Sequence, residues 1–216
     1  MTRGTPGLFA EILAELIVLF ARLVTAPQAN WLGVPPTDTQ RIYFANHASH
    51  GDFVLVWSVL PPKLRRRTRP VAAAEYWQKG WLRRLIGEGV FRAVLIAREK
   101  ITKSNDPMAR MTAALDEGHS LIVFPEGTRN TGSELLQAFK GGLYHLASAR
   151  PSVELVPVWI ANLNRVMPKG EFLPVPLLCS VTFGAPIALS AGETKPQFLE
   201  RARAALLALA PKGAGA

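Results

Sequence analysis

The chain carries a single cysteine, Cys179. That excludes an intramolecular disulfide and makes a reducing compartment the natural expectation. Charge is also scarce: 19% of the 216 residues are charged and 49% are hydrophobic, more apolar than a freely soluble enzyme needs. A long uninterrupted apolar run is nevertheless missing. The greasiest stretch, 8–26, is broken by Glu11, Glu15 and Arg22, whereas a spanning helix wants about 20 apolar residues with few charges. A secretory signal would place its positive charge first and avoid internal acids. Internal repeats and low-complexity tracts are absent, and the length suits one sizeable core but is short for two.

What charge there is has a location. The formal net charge is +9, and the segment 63–110 holds 13 of the 25 basic residues and only 4 of the 16 acidic ones, so the whole excess belongs to it. A local basic field attracts nucleic acid, anionic lipid or an acidic carrier protein, unless it is merely a solvated face. The segment has no zinc-finger or RNP-type module, so nucleic acid is not the expected partner. In 8–26 the three charges fall on one helical face. This predicts a helix with a narrow polar stripe and a wide apolar face, lying in a membrane interface or packed on its own domain, with a single span as the third alternative.

Beyond a turn-rich stretch at 27–39, extended and helical patterns alternate. Strands are predicted at 41–45, 70–74, 90–97, 120–124, 153–160 and 177–183. Helices are predicted at 53–60, 76–86, 107–117, 138–148 and 194–209, the last opened by a possible capping box at Thr194 and Gln197. The alternation predicts an α/β fold: one domain with a mostly parallel sheet flanked by helices, preceded by an N-terminal membrane-associated helix. The expected division is residues 1–30 for that helix and 31–216 for the α/β domain.

Two polar segments interrupt this pattern. The first, Asn46-His47-Ala48-Ser49-His50-Gly51-Asp52, follows directly on a strand. On an unbroken helix His47 and Asp52 would point about 140° apart, so they meet only if the chain bends, and Gly51 permits a bend. The carboxylate would then fix the imidazole tautomer and leave the other ring nitrogen to take a proton from a hydroxyl. Two other readings stand beside this one. His47, His50 and Asp52 offer three metal donors, though no distant His or Cys cluster is there to complete such a site, His119 and His145 each standing alone. Asp52 is also placed to do no more than cap the next helix. The second segment, Phe124-Pro125-Glu126-Gly127-Thr128-Arg129, puts an acid, a hydroxyl and a guanidinium on one tight loop, with Phe139-Lys140-Gly141-Gly142 following. Arginine's planar fork suits phosphate, and a generic turn with a surface arginine is the plainer alternative.

Together and in this order, the two segments resemble the glycerophospholipid acyltransferase family, which includes the 1-acylglycerol-3-phosphate acyltransferases. Asn46, His47 and Asp52 match its N-H-x4-D motif, and Phe124 to Arg129 match F-P-E-G-T-R without a change. Phe139, Lys140 and Gly142 match F-K-x-G, Val156-Pro157-Val158 looks like the last block, and the stretch from Gly89 to Arg98 matches loosely.

The resemblance implies that His47 is a general base and Asp52 its partner, with direct attack of the acceptor hydroxyl on a thioester and no protein nucleophile. Ser49 then belongs to the bend and Cys179 to the core. The resemblance also implies substrate binding by Glu126, Gly127, Thr128, Arg129, Arg98 and Lys140, with no metal and no cofactor beyond acyl-CoA or acyl-carrier protein as co-substrate. The expected partners are a lysophospholipid acceptor, that donor and an anionic membrane surface. The expected location is the cytoplasmic face of the inner membrane, peripheral or monotopic. The motifs do not separate 1-acylglycerol 3-phosphate from other lysolipids, an ornithine-lipid precursor or glycerol 3-phosphate, and the non-enzymatic alternative is a basic nucleic-acid-binding protein or a lipid-binding scaffold.

Overall fold

The computed structural model describes residues 7–49, 51–97, 106–162 and 179–211. Seven strands form one sheet: β1 (Gln28–Trp31), β2 (Arg41–Ala45), β3 (Thr68–Ala73), β4 (Val94–Ile96), β5 (Ser120–Val123), β6 (Glu154–Ala161) and β7 (Ser180–Phe183). Their order is β1-β7-β6-β2-β5-β3-β4. Every pairing is parallel except β6 with β7, so the expected mostly parallel α/β sheet is present.

The central strands read as apolar runs because helices cover both faces. Alternation along β2 sends Ile42 and Phe44 into one core and Tyr43 and Ala45 into the other. The first core is closed by α1 (Leu8–Thr25) and α2 (Asp52–Val59). The second is closed by α6 (Pro107–Asp116), α7 (Gly142–Ala149) and α8 (Lys195–Leu207), through side chains such as Leu115, Leu146 and Phe198. Gln197 Oε1 accepts from the Thr194 N–H at 2.9 Å, which supplies the predicted cap.

Several expectations are corrected. The stretch at 27–39 is not only a connector, since β1 lies within it and pairs with β7. A domain boundary at residue 30 therefore cuts through a strand. Nor is α1 a separate unit: Val18 is buried in the first core, with Leu13 and Ile17 packed against it. Among the described residues no helix is long and apolar enough to cross a membrane.

The helix predicted at 76–86 is in pieces: α4 (Ala74–Trp77), α5 (Trp81–Arg84) and a π-helical turn (Leu85–Val90). Gly80 sets the break at φ +91°. The widened turn takes in Val90, the first residue of the strand expected at 90–97, and β4 is only three residues long. Strand β7 is described from Ser180, so 177 and 178 of that expectation lie outside the described residues. A short helix α3 (Pro62–Arg67), started by Pro61-Pro62, was not anticipated.

Part of the basic excess is neutralised by acids from elsewhere in the chain. Lys63 and Arg67 both meet Asp38, Arg65 meets Glu15, and Arg69 meets Glu117.

Candidate active site

The site lies at the carboxyl end of β2 and β5, where connecting loops collect in parallel sheets. Asn46 first prolongs the strand pairing with its side chain. Its Nδ2 donates to the Ile160 carbonyl at 3.0 Å, and its Oδ1 accepts from the Ile160 N–H at 2.7 Å. A side-chain amide thus takes the place of a peptide and anchors the end of β2 to β6.

The chain then turns around one carboxylate. Asp52 Oδ2 accepts from the backbone N–H groups of Ala48 (2.7 Å) and Ser49 (2.8 Å) and from His47 Nδ1 (2.8 Å). Asp52 is only 1% exposed and begins α2, where the helix dipole favours negative charge. The bend that joins His47 to Asp52 is therefore held by the aspartate itself. Gly51 sits at φ −83°, which any residue adopts, so its conformational freedom is not what makes the bend. Ser49 belongs to the turn, its Oγ accepting from the Gly51 N–H at 3.3 Å.

Because Nδ1 carries the proton donated to Asp52, the neutral ring keeps a lone pair on Nε2. Nothing among the described residues bonds that nitrogen. The ring is steadied by stacking on Phe124, with centroids 4.2 Å apart. His47 is thus oriented from one side and left free on the other, as a general base requires.

The second loop holds the first. Glu126, 2% exposed, accepts from the His47 N–H through Oε1 at 2.8 Å and from the Gln137 N–H through Oε2 at 2.9 Å. Burial pushes its carboxyl pKa up, and the two N–H donors oppose that shift. Both oxygens are committed to backbone donors, so Glu126 ties the two loops together. The Asn130 N–H donates to the His47 carbonyl at 2.6 Å, which ties the two segments a second time.

Gly127 turns the chain at φ +73°, and a Cβ there would lie 2.7 Å from Lys140 Cδ. Lys140 therefore lies across Gly127, and its own N–H donates to the Pro125 carbonyl at 2.8 Å. Thr128, Arg129 and Lys140 are exposed, and neither cation has an acidic partner among the described residues. The fold brings seven of the eight expected site residues into two tied loops. Arg98 lies outside the described residues, as does His50.

Sequence reasoning missed the holding roles of Asn130 and Gln137, which sit in a polar stretch with no periodicity to mark them. Among the described residues no three His, Cys, Asp or Glu side chains gather as a metal site requires. Cys179 is buried, and burial raises its thiol pKa to about 11, so it stays protonated at neutral pH.

Known proteins are similar to this chain. The Acyltransferase family model matches residues 33–161. The 1-acyl-sn-glycerol-3-phosphate acyltransferase of Haemophilus influenzae is 29% identical over 140 residues, 59% of this chain and 52% of that one. The Escherichia coli (strain K12) protein of the same name is 31% identical over 148 residues, 61% of this chain and 55% of that one. The chain spans about half the length of these relatives. The crystal structure of the 1-acyl-sn-glycerophosphate (LPA) acyltransferase PlsC from Thermotoga maritima superimposes with a TM-score of 0.66 at 19% identity, over 92% of this chain and 79% of that one, and so shares the fold. With His47 and Asp52 joined in one turn and the family match running through both loops, the chain belongs to the Acyltransferase family.

Proposed function

We propose that the protein transfers a fatty acyl group from acyl-CoA or acyl-carrier protein to the free hydroxyl of 1-acylglycerol 3-phosphate, giving phosphatidic acid. The observation that carries this reading is the His47 ring, oriented through Nδ1 by a buried aspartate and open at Nε2. The names of the relatives supply the acceptor. His47 Nε2 takes the hydroxyl proton as the oxygen attacks the thioester carbonyl. The tetrahedral intermediate collapses, the C–S bond breaks, and the imidazolium returns its proton to the departing thiolate. The products are an ester and a free thiol, and no covalent enzyme intermediate forms. Arg129 and Lys140, exposed beside the base, hold the acceptor's phosphate.

The proposed location is the cytoplasmic face of the membrane, peripheral or monotopic. Two features support attachment to a membrane surface. On α1, Phe9, Phe20 and Leu23 are each more than 60% exposed, and Trp81 on α5 is 77% exposed, with Arg83 and Arg84 two and three residues further along the chain. Such apolar faces with adjacent cations suit an anionic bilayer surface.

The test is acyl transfer from labelled palmitoyl-CoA and palmitoyl-carrier protein to a panel of lysolipids in detergent. Phosphatidic acid formation is expected, with His47→Ala lowering the rate by at least about a hundredfold. A folded protein that transfers to no acceptor from either donor overturns the reading. Preference for another lysolipid overturns the named acceptor and leaves the base in place.

A further inference from the structure

A groove of about 770 Å³ runs between α1 and the opposite end of the sheet, beside Arg65, Arg66, Arg69 and Arg92. Its size falls in the roughly 300–1,000 Å³ range of small-ligand sites. It is not the site at His47. The pairing register sets Arg69 level with Leu121 and Ile42. His47 lies five residues beyond Ile42, a rise of about 16 Å, and β2 is two strands away from β3.

The two walls differ in chemistry. On the α1 side, Leu8, Ile12, Leu16 and Leu19 line the groove and are each more than half exposed. They continue round the helix into the apolar face that carries Phe9 and Leu23. On the other side stand the arginines. Arg65 is committed, paired with Glu15 and lying over the Trp57 ring at 5.2 Å. Arg69 is committed as well, its Nε donating to the Arg92 carbonyl at 2.6 Å and its guanidinium meeting Glu117.

Arg66 and Arg92 differ from these two. Arg66 is exposed, and no acid pairs with it among the described residues. The Arg92 guanidinium donates to His119 Nε2 at 3.2 Å, an uncharged acceptor. Its backbone is held at φ +50°, which L side chains disfavour. Glu11 and Glu15 also line the groove, but Glu15 is already neutralised by Arg65, so the lining keeps a cationic excess.

From this pairing of walls we infer a second lipid site, which takes one anionic membrane lipid. The phosphate of the headgroup sits against Arg66 and Arg92, and a hydrocarbon chain lies along Leu8, Ile12, Leu16 and Leu19. A lipid reaches the groove from the bilayer along the continuous apolar face of α1. The inference stands on this groove alone and is independent of the chemistry assigned to His47.

The test uses dihexadecyl phosphate, which has no free hydroxyl and no acyl ester and so is neither acceptor nor donor in the proposed reaction. Its adducts on the full chain are counted by native mass spectrometry from dodecyl maltoside micelles. One saturable adduct is expected, and it persists in His47→Ala. Arg66→Gln should weaken it about fivefold, and Arg66→Gln with Arg92→Gln about 25-fold. Arg66 is exposed and unpaired, so the single variant leaves the fold intact. Arg150→Gln with Lys195→Gln removes two surface cations outside the groove and should change nothing. The inference falls if that control weakens binding as much as the groove variants do. It also falls if Arg66→Gln binds as wild type, if an uncharged dialkyl lipid binds equally, or if inorganic phosphate alone binds as tightly.

Discussion

At the carboxyl end of the strands the buried charges are Asp52 and Glu126, and each is met by backbone N–H groups that cannot move away. At the amino end the charges are arginines. Arg65 and Arg69 find carboxylates there, while Arg66 and Arg92 find none among the described residues. The difference lies in what the charge is held against. A carboxylate surrounded by main-chain donors is fixed by the fold and can orient a neighbour. A guanidinium on a long side chain with no acid beside it keeps its capacity for an anion from outside. The first end fixes the orientation of the His47 ring, and the second is where an anionic ligand is proposed.

The largest effect expected from breaking this arrangement comes at Asp52. In Asp52→Asn the amide oxygen still accepts from Ala48, Ser49 and His47 Nδ1, which all meet the same carboxylate oxygen in the wild type, but the neutral amide no longer stabilises the imidazolium. The rate of acyl transfer should fall about 10²- to 10⁴-fold while the melting temperature changes little. A variant that retains most of its activity would remove the aspartate from the mechanism.

Glu126 comes next, and the comparison predicts a different kind of damage. Glu126→Gln keeps one acceptor and turns the other towards a backbone N–H as a donor. One buried N–H is left unpaired, which costs roughly 1–3 kcal/mol. Because the lost bonds lead to His47 and Gln137, both stability and activity should drop, as measured by thermal unfolding and transfer assays on the same preparation. If Glu126 bound substrate instead, KM would rise and the melting temperature would hold.

Much of this architecture was legible because it depends on pattern. The runs at Arg41–Ala45 and Ser120–Val123 are apolar without alternation, as strands covered on both faces must be. The two polar segments stood out because they interrupt those runs at strand ends. What could not be read depends on contacts distant in the chain. Strand β1 has no apolar run of its own and exists because β7 offers it a parallel edge. The π-helical turn forms where Gly87 comes against Trp77: a Cβ at Gly87 would lie 2.7 Å from the indole, and no local periodicity records that approach. The roles of Glu126 and Asn46 were hidden for a similar reason. Their partners lie 79 and 114 residues away, and those partners are backbone atoms, which every residue type offers.

The smallest effect separates two glutamates that the sequence cannot tell apart. Hydrogen bonds from Arg201, helped by the Ser190 N–H, lower the carboxyl pKa of Glu193 to about 2 from its ordinary 4.5. Burial raises that of Glu126. The signs of their contributions to stability are therefore opposite. The contribution of Glu193 is complete above its unfolded value near 4.5 and is lost as pH falls towards about 2. The contribution of Glu126 is present below the unfolded carboxylate range and is lost as pH rises through its raised value. Melting temperatures of wild type, Glu193→Gln and Glu126→Gln, taken from about pH 6 down to about pH 3, test this directly. The gap between wild type and Glu193→Gln should narrow on acidification, and the gap for Glu126→Gln should widen. If both gaps narrow, the two N–H donors to Glu126 outweigh its burial, and the carboxyl end of the sheet favours an ionised carboxylate more strongly than its burial suggests.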